Sequence, residues 1–146
     1  RVIKKLSGTS KEDLQFIYDF STRNNKNKAI FDTVNTSELL MFYCIYVFPE
    51  DIYYIPQEDV LILCQKEENT LHVFKVISEK SYHIDQIVSY VVDGYTNEIV
   101  LHFTPENNLD EYSQMKYEDS NTLFVKYTRP NMTLPKHFKH PITSQA

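Results

Sequence analysis

The hydrophobic pattern changes period midway through Thr70–Gly94, TLHVFKVISEKSYHIDQIVSYVVDG, and that change marks a strand running into a helix. Leu71, Val73, Phe74, Val76 and Ile77 read as a largely buried strand, whereas Ile84, Ile87, Val88, Val91 and Val92 recur at helical spacing, with Gly94 ending the helix. Upstream, the opening Arg1–Leu6 already looks like a strand. Thr9-Ser10-Lys11-Glu12 then has the form of a capping box, a hydroxyl for the orphan N–H groups and a carboxylate three residues on. The helix it starts carries Leu14, Ile17, Tyr18 and Ser21 along one side, widened by Phe16 and Phe20, and fades in the polar run from Arg23 to Lys28. Asn35-Thr36-Ser37-Glu38 repeats the cap signature ahead of Leu39–Phe48, where apolar residues occupy nearly every position around the helix. Such a helix is predicted to be covered on most sides.

Strands follow. Ile52–Ile55 and Val60–Cys64 flank a turn at Pro56-Gln57-Glu58-Asp59, and Glu67-Glu68-Asn69 turns the chain into the strand of Leu71, making a three-strand meander. Past Gly94, Glu98–Phe103 is a further strand, stopped by Thr104-Pro105 and a polar loop over 106–111. Gln114–Tyr117 and Leu123–Tyr127 form a second hairpin around Glu118-Asp119-Ser120-Asn121. Arg129–Ala146 holds three of the six prolines and has no period, so it reads as an extended arm. The order β, α, α, β, β, β, α, β, then β, β predicts an α/β (α+β) fold. Its sheet is mixed and mostly antiparallel, flanked by helices, with one or two parallel connections through the Ile84–Val92 helix. One domain over 1–128 and the arm over 129–146 account for the chain.

Composition narrows the partners. With 146 residues and 42% hydrophobic content the chain can bury a core without staples. The net charge of −5 is unevenly spread: residues 1–28 carry seven basic and three acidic side chains, 29–125 four and seventeen, and 126–146 four and none. A body at −13 is not a duplex binder, which must neutralise phosphates with clustered Lys and Arg. A solvated acidic face is the ordinary reading; its functional counterpart is a surface attracting a cationic substrate or a basic neighbouring domain. No apolar run approaches the ~20 residues needed to span a bilayer, and no signal-like start is present. Cys44 and Cys64 both sit in apolar runs, which predicts buried free thiols and a reducing cytoplasm. The strand-like start without a Met reads as a piece of a longer polypeptide.

Few side chains suggest chemistry. His72 and His102 fall in strand patterns and read as satisfied, half-buried histidines; with His83, His137 and His140 they lack the spacing of a metal site. Neither cysteine has the electropositive, open surroundings of a nucleophile. The carboxylate pairs Glu58-Asp59, Glu67-Glu68 and Asp110-Glu111 all fall in predicted turns. Phe42, Tyr43, Tyr46, Phe48, Tyr53 and Tyr54 cluster among acidic rather than basic companions, which points to core or interdomain packing, not to nucleic acid. In the basic arm, His137, Phe138 and His140 are the candidate partner-facing residues.

Three stretches, Phe42–Glu67 (FYCIYVFPEDIYYIPQEDVLILCQKE), Ile99–Pro105 (IVLHFTP) and Phe138–Ala146 (FKHPITSQA), are similar to the C-terminal halves of bacterial GNAT acetyltransferases that carry a second GNAT-like unit after a catalytic one. The element order over residues 1–128 also resembles the GNAT fold. The family implies an acetyl-CoA pyrophosphate site at the strand-loop-helix junction, built on Gln/Arg-x-x-Gly-x-Gly/Ala. Here Ile77–Ile84 contains no glycine, the two glycines of the chain are Gly8 and Gly94, and Asp85 adds negative charge where an anion would sit. The resemblance therefore implies a non-catalytic C-terminal domain with no cofactor of its own. Acetyl-CoA would belong to an upstream catalytic domain of the same polypeptide, which this unit supports. The alternative is a stand-alone interaction or homodimerisation module without enzymatic activity.

Overall fold

The computed structural model describes residues 2–24, 37–105 and 113. Its elements are β1 (Lys4–Leu6), α1 (Lys11–Arg23), α2 (Ser37–Tyr46), β2 (Ile52–Ile55), β3 (Val60–Glu67), β4 (Thr70–Ser78), α3 (Ile84–Val88) and β5 (Glu98–Leu101). The strands form one sheet in the order β1-β2-β3-β4-β5, antiparallel up to β4 and parallel between β4 and β5. This is an α+β fold with a mixed, mostly antiparallel sheet flanked by helices. The predicted hairpin of Gln114–Tyr117 and Leu123–Tyr127, and the arm from Arg129, lie outside the described residues.

Val60–Cys64 of β3 are all buried, so the sheet there is covered on both faces. Alternation divides them. Leu61 and Leu63 pack with Ile17 and Phe20 of α1 and Leu40 and Cys44 of α2, while Val60, Ile62 and Cys64 pack with Ile84, Ile87 and Val88 of α3. Cys44 and Cys64 thus belong to opposite faces, both free, which rules out a bond between them. From Gln65 onward β3 is exposed, so one end of the sheet is sandwiched and the other is open.

Local chemistry sets the ends of the elements. The N-cap of α1 is Ser10, one residue beyond the Thr9 expected: Ser10 Oγ accepts from the Asp13 N–H at 3.3 Å, and Asp13 Oδ2 accepts from the Ser7 N–H at 2.9 Å. Thr9 is diverted because its hydroxyl pairs with that of Ser7 at 2.8 Å. The β2–β3 and β3–β4 turns place Asp59 and Glu68 in the left-handed region, each at φ 52°. The largest departure from the sequence reading is α3, which ends at Val88 and not at Gly94. Beyond it, Val91 and Val92 donate to Val88 O at 3.0 and 2.9 Å in tight turns. Both still pack against the core on the α3 face, so burial supplied their apolar spacing without a continuous helix. Lys66 Nζ and the Tyr95 N–H hold the Asp93 carboxyl down to about 2 and thereby fix the return into β5. Strand β5 stops at Leu101, short of Phe103, and β3 runs on to Glu67.

Gly8 sits where backbone approaches backbone. Its N–H donates to Pro49 O at 2.7 Å, and a Cβ there would lie 2.0 Å from the Cys44 carbonyl oxygen and 2.8 Å from Pro49 Cα. Gly94 has nothing within 4 Å of such an atom. We expect Gly8→Ala to cost about 3 kcal/mol, the upper end for bulk forced into a packed site. Gly94→Ala should stay within about 0.5 kcal/mol of the parent. Urea midpoints of the two variants check the contrast.

Candidate functional site

The site begins where two parallel strands part. β4 and β5 pair only over Thr70–Val73 and Glu98–Leu101, with a last backbone bond from the His102 N–H to Val73 O at 2.8 Å. β4 continues to Ser78 without β5 beside it. At the same point the β3–β4 register slips. Leu63 pairs with Lys75 and Cys64 with Val73, which leaves Phe74 as the extra residue of a bulge.

A chain of rings runs across this point. Phe48 stacks on Phe74 at 4.4 Å, Phe74 on His102 at 4.7 Å, and His102 Nε2 lies 2.9 Å from His72 Nδ1. On the other side Phe48 meets Tyr43 at 6.2 Å, Tyr43 meets Phe42 edge-on at 5.7 Å, and Phe42 meets Tyr46 at 5.1 Å. Contacts of this kind add about 0.5–1.5 kcal/mol each beyond burial. The two histidines satisfy one another across the strands. Their pairing depends on the parallel register, which puts His102 two residues past the partner of His72, and no spacing along the chain announces it. Glu67 Oε2 stands 3.7 Å from the other nitrogen of His72.

The outer end of this chain of rings opens on α2. Leu40 and Cys44 face the sheet, but Phe42 is 50% exposed, Tyr46 72%, Val47 45% and Ile45 37%. The helix expected to be covered on most sides therefore presents an apolar face that no described residue covers. The aromatic cluster of the sequence is split between core, in Phe48, and surface, in Phe42 and Tyr46.

The other candidates are structural. Between β4 and α3, Ser78–His83 carries a side chain at every position. Ser78 Oγ accepts from the Lys80 N–H at 3.1 Å, and His83 makes no side-chain cap bond to the helix it precedes. Glu58 accepts from Gln86 Nε2 at 2.7 Å and Tyr90 Oη at 2.9 Å, and Asp59 from Tyr54 Oη at 2.8 Å, so this carboxylate pair ties the β2–β3 turn to its surroundings. Among the described residues no three His, Cys, Asp or Glu side chains come together as a metal site. None of the described helices is long and apolar enough to cross a membrane. An open groove lined by Thr9, Lys11, Leu14, Gln15, Tyr18 and Met41 holds no paired acid and base. His137, Phe138 and His140 lie outside the described residues, as do Asp110 and Glu111. The chain matches no family model, no curated protein and no solved structure. What the geometry offers is an exposed apolar helix face joined through stacked rings to a histidine pair.

Burial pushes both cysteine thiols from 9.0 up to about 12, helped at Cys64 by the negative charge of Asp51. Both should resist alkylation at neutral pH in the folded chain and react on unfolding in urea. The folded state keeps thiol protons that the unfolded state releases. Stability should accordingly be undiminished by this effect below pH 9.0 and decline as pH rises toward about 12, as denaturation midpoints at stepped pH will read.

Proposed function

We propose that this chain is the C-terminal, non-catalytic GNAT-like domain of an acetyl-CoA-dependent N-acetyltransferase. In this reading it braces the catalytic domain that precedes it in the same polypeptide. The observation that carries the proposal is the order β-α-α-β-β-β-α-β on a β1-β2-β3-β4-β5 sheet with one parallel pair, combined with a glycine-free β4–α3 junction. That order is the one the GNAT resemblance implies. At the junction, Ser78–His83 contains no glycine to let backbone N–H groups approach a pyrophosphate closely. Acyl transfer from the thioester to an amine then belongs to the catalytic domain, and with it the acetyl-CoA. Two buried free thiols fit a cytoplasmic protein.

The outward face of α2 is the docking surface in this reading. Its centre is apolar at Phe42, Ile45 and Tyr46, while Glu38 opens the helix and Glu50 follows it. The partner surface that fits is apolar, and we assign it to the catalytic domain.

Titration calorimetry of the chain with acetyl-CoA should give no stoichiometric binding; a one-to-one complex would overturn the lost cofactor site. The double substitution Phe42→Ser with Tyr46→Ser should weaken binding to the catalytic domain, supplied in trans, by at least about tenfold, since aromatic anchors dominate such contacts. A chain that instead sediments as a dimer, dissociated by the same substitutions, would favour the homodimerisation module.

A further inference from the structure

We propose that Asp93-Gly94 is a guarded covalent modification site, where the peptide bond rearranges to the β-linked isoaspartyl form once Lys66 releases the Asp93 carboxylate. The inference is independent of the acetyltransferase reading. Of the two glycines in the chain, Gly94 alone follows an aspartate or asparagine. That step suits the rearrangement, because the backbone nitrogen of Gly94 attacks Asp93 Cγ and a side chain on the attacking residue would crowd the ring that forms. Asp93, Gly94 and Tyr95 are all exposed, and a Cβ at Gly94 would meet nothing within 4 Å, so the approach is open.

The atoms balance with solvent water alone. A bond forms between Gly94 N and Asp93 Cγ, the nitrogen gives up its proton, and the carboxyl hydroxyl leaves with that proton as water, closing a five-membered imide. Water then adds back at one of the two imide carbonyls. Addition at Cγ with cleavage of the new bond returns aspartate. Addition at the main-chain carbonyl, with cleavage of its bond to Gly94 N, leaves the chain running through Cβ and frees the former main-chain carbonyl as a carboxylate. Nothing is oxidised or reduced.

The fold holds this site in its unreactive form. The neutral acid is the form that reacts, since hydroxyl departs as water and a carboxylate oxygen has no such exit. Asp93 Oδ2 is paired with Lys66 Nζ, while Oδ1 accepts from the Tyr95 N–H at 3.0 Å and from the Thr96 hydroxyl at 3.1 Å. All three donors favour the ionised carboxyl, in keeping with its fall to about 2. Closing the ring consumes the charge that Lys66 pairs with. Lys66 is itself held over the Tyr95 ring, 5.8 Å from its centre. Just downstream, the Asn97 and Glu98 N–H groups donate to Asn69 O at 2.8 and 3.3 Å, so the added backbone atom would enter directly ahead of β5.

Peptide mapping by chromatography and mass spectrometry tests this on the full chain kept at neutral pH, either folded or in concentrated urea. A peptide across Asp93-Gly94, unchanged in mass and altered in retention, should accumulate at least about tenfold more slowly in the folded chain, because lowering the carboxyl from 3.8 to about 2 depletes the reactive acid by at least that factor. Lys66→Met should speed the folded chain at least about threefold, and Lys66→Arg should keep the slow rate. Unreactive Cys44 and Cys64 thiols report that each variant is folded. Equal rates in the folded and unfolded parent, or a folded Lys66→Met chain no faster than the parent, would overturn the guarded site. The comparison of folded with unfolded parent decides the matter even if a variant does not fold.

Discussion

Everything in this fold follows from the burial of β3 and β4 on both faces. Five consecutive buried residues, Val60–Cys64, cannot be sheltered by helices on one side alone. Helices α1 and α2 cover the Leu61 and Leu63 face. The chain must therefore cross to the other side after β4, and α3 with the turns after it does so before β5 returns parallel to β4. The crossing is what gives the sheet its one parallel pair, and the pair is short because the Phe74 bulge and the departure of β5 fall at the same place.

That coincidence creates the seam. The bulge adds Phe74 to the helix-side core just where His102 leaves the sheet, so Phe48 after α2, Phe74 of β4 and His102 after β5 meet in one continuous stack. Its inner end is a histidine pair, and its outer end is a helix face that lacks a cover among the described residues. A buried thiol on each face of the sheet is inert by environment, and the turn carboxylates are engaged in hydrogen bonds.

Elements whose pattern reflects a single cause were legible in the sequence. The strand Ile52–Ile55 matches to the residue, and the meander and the helical faces of α1 came from alternation and i, i+3, i+4 spacing. Where two causes produce the same pattern the reading strayed. Val91 and Val92 kept helical spacing because they return to the same core from turns, so α3 was overdrawn. Thr9 and Ser10 are equally good caps on paper, and the Ser7 hydroxyl decided between them. An all-apolar α2 looks the same whether its outer face meets this chain or another surface. The His72–His102 contact joins residues thirty positions apart and depends on a register that only the folded sheet defines.

The proposed role joins these features: a core on both faces of the sheet, a glycine-free β4–α3 junction, and an apolar helix face turned outward. The most direct measurement is an amide NMR titration of the labelled chain with the catalytic domain proposed to precede it. Perturbations should concentrate on Phe42–Val47, at the end of α2, and leave Ser78–His83 unchanged. Perturbations centred on Ser78–His83, or none on α2, would contradict a supporting domain docked through that helix.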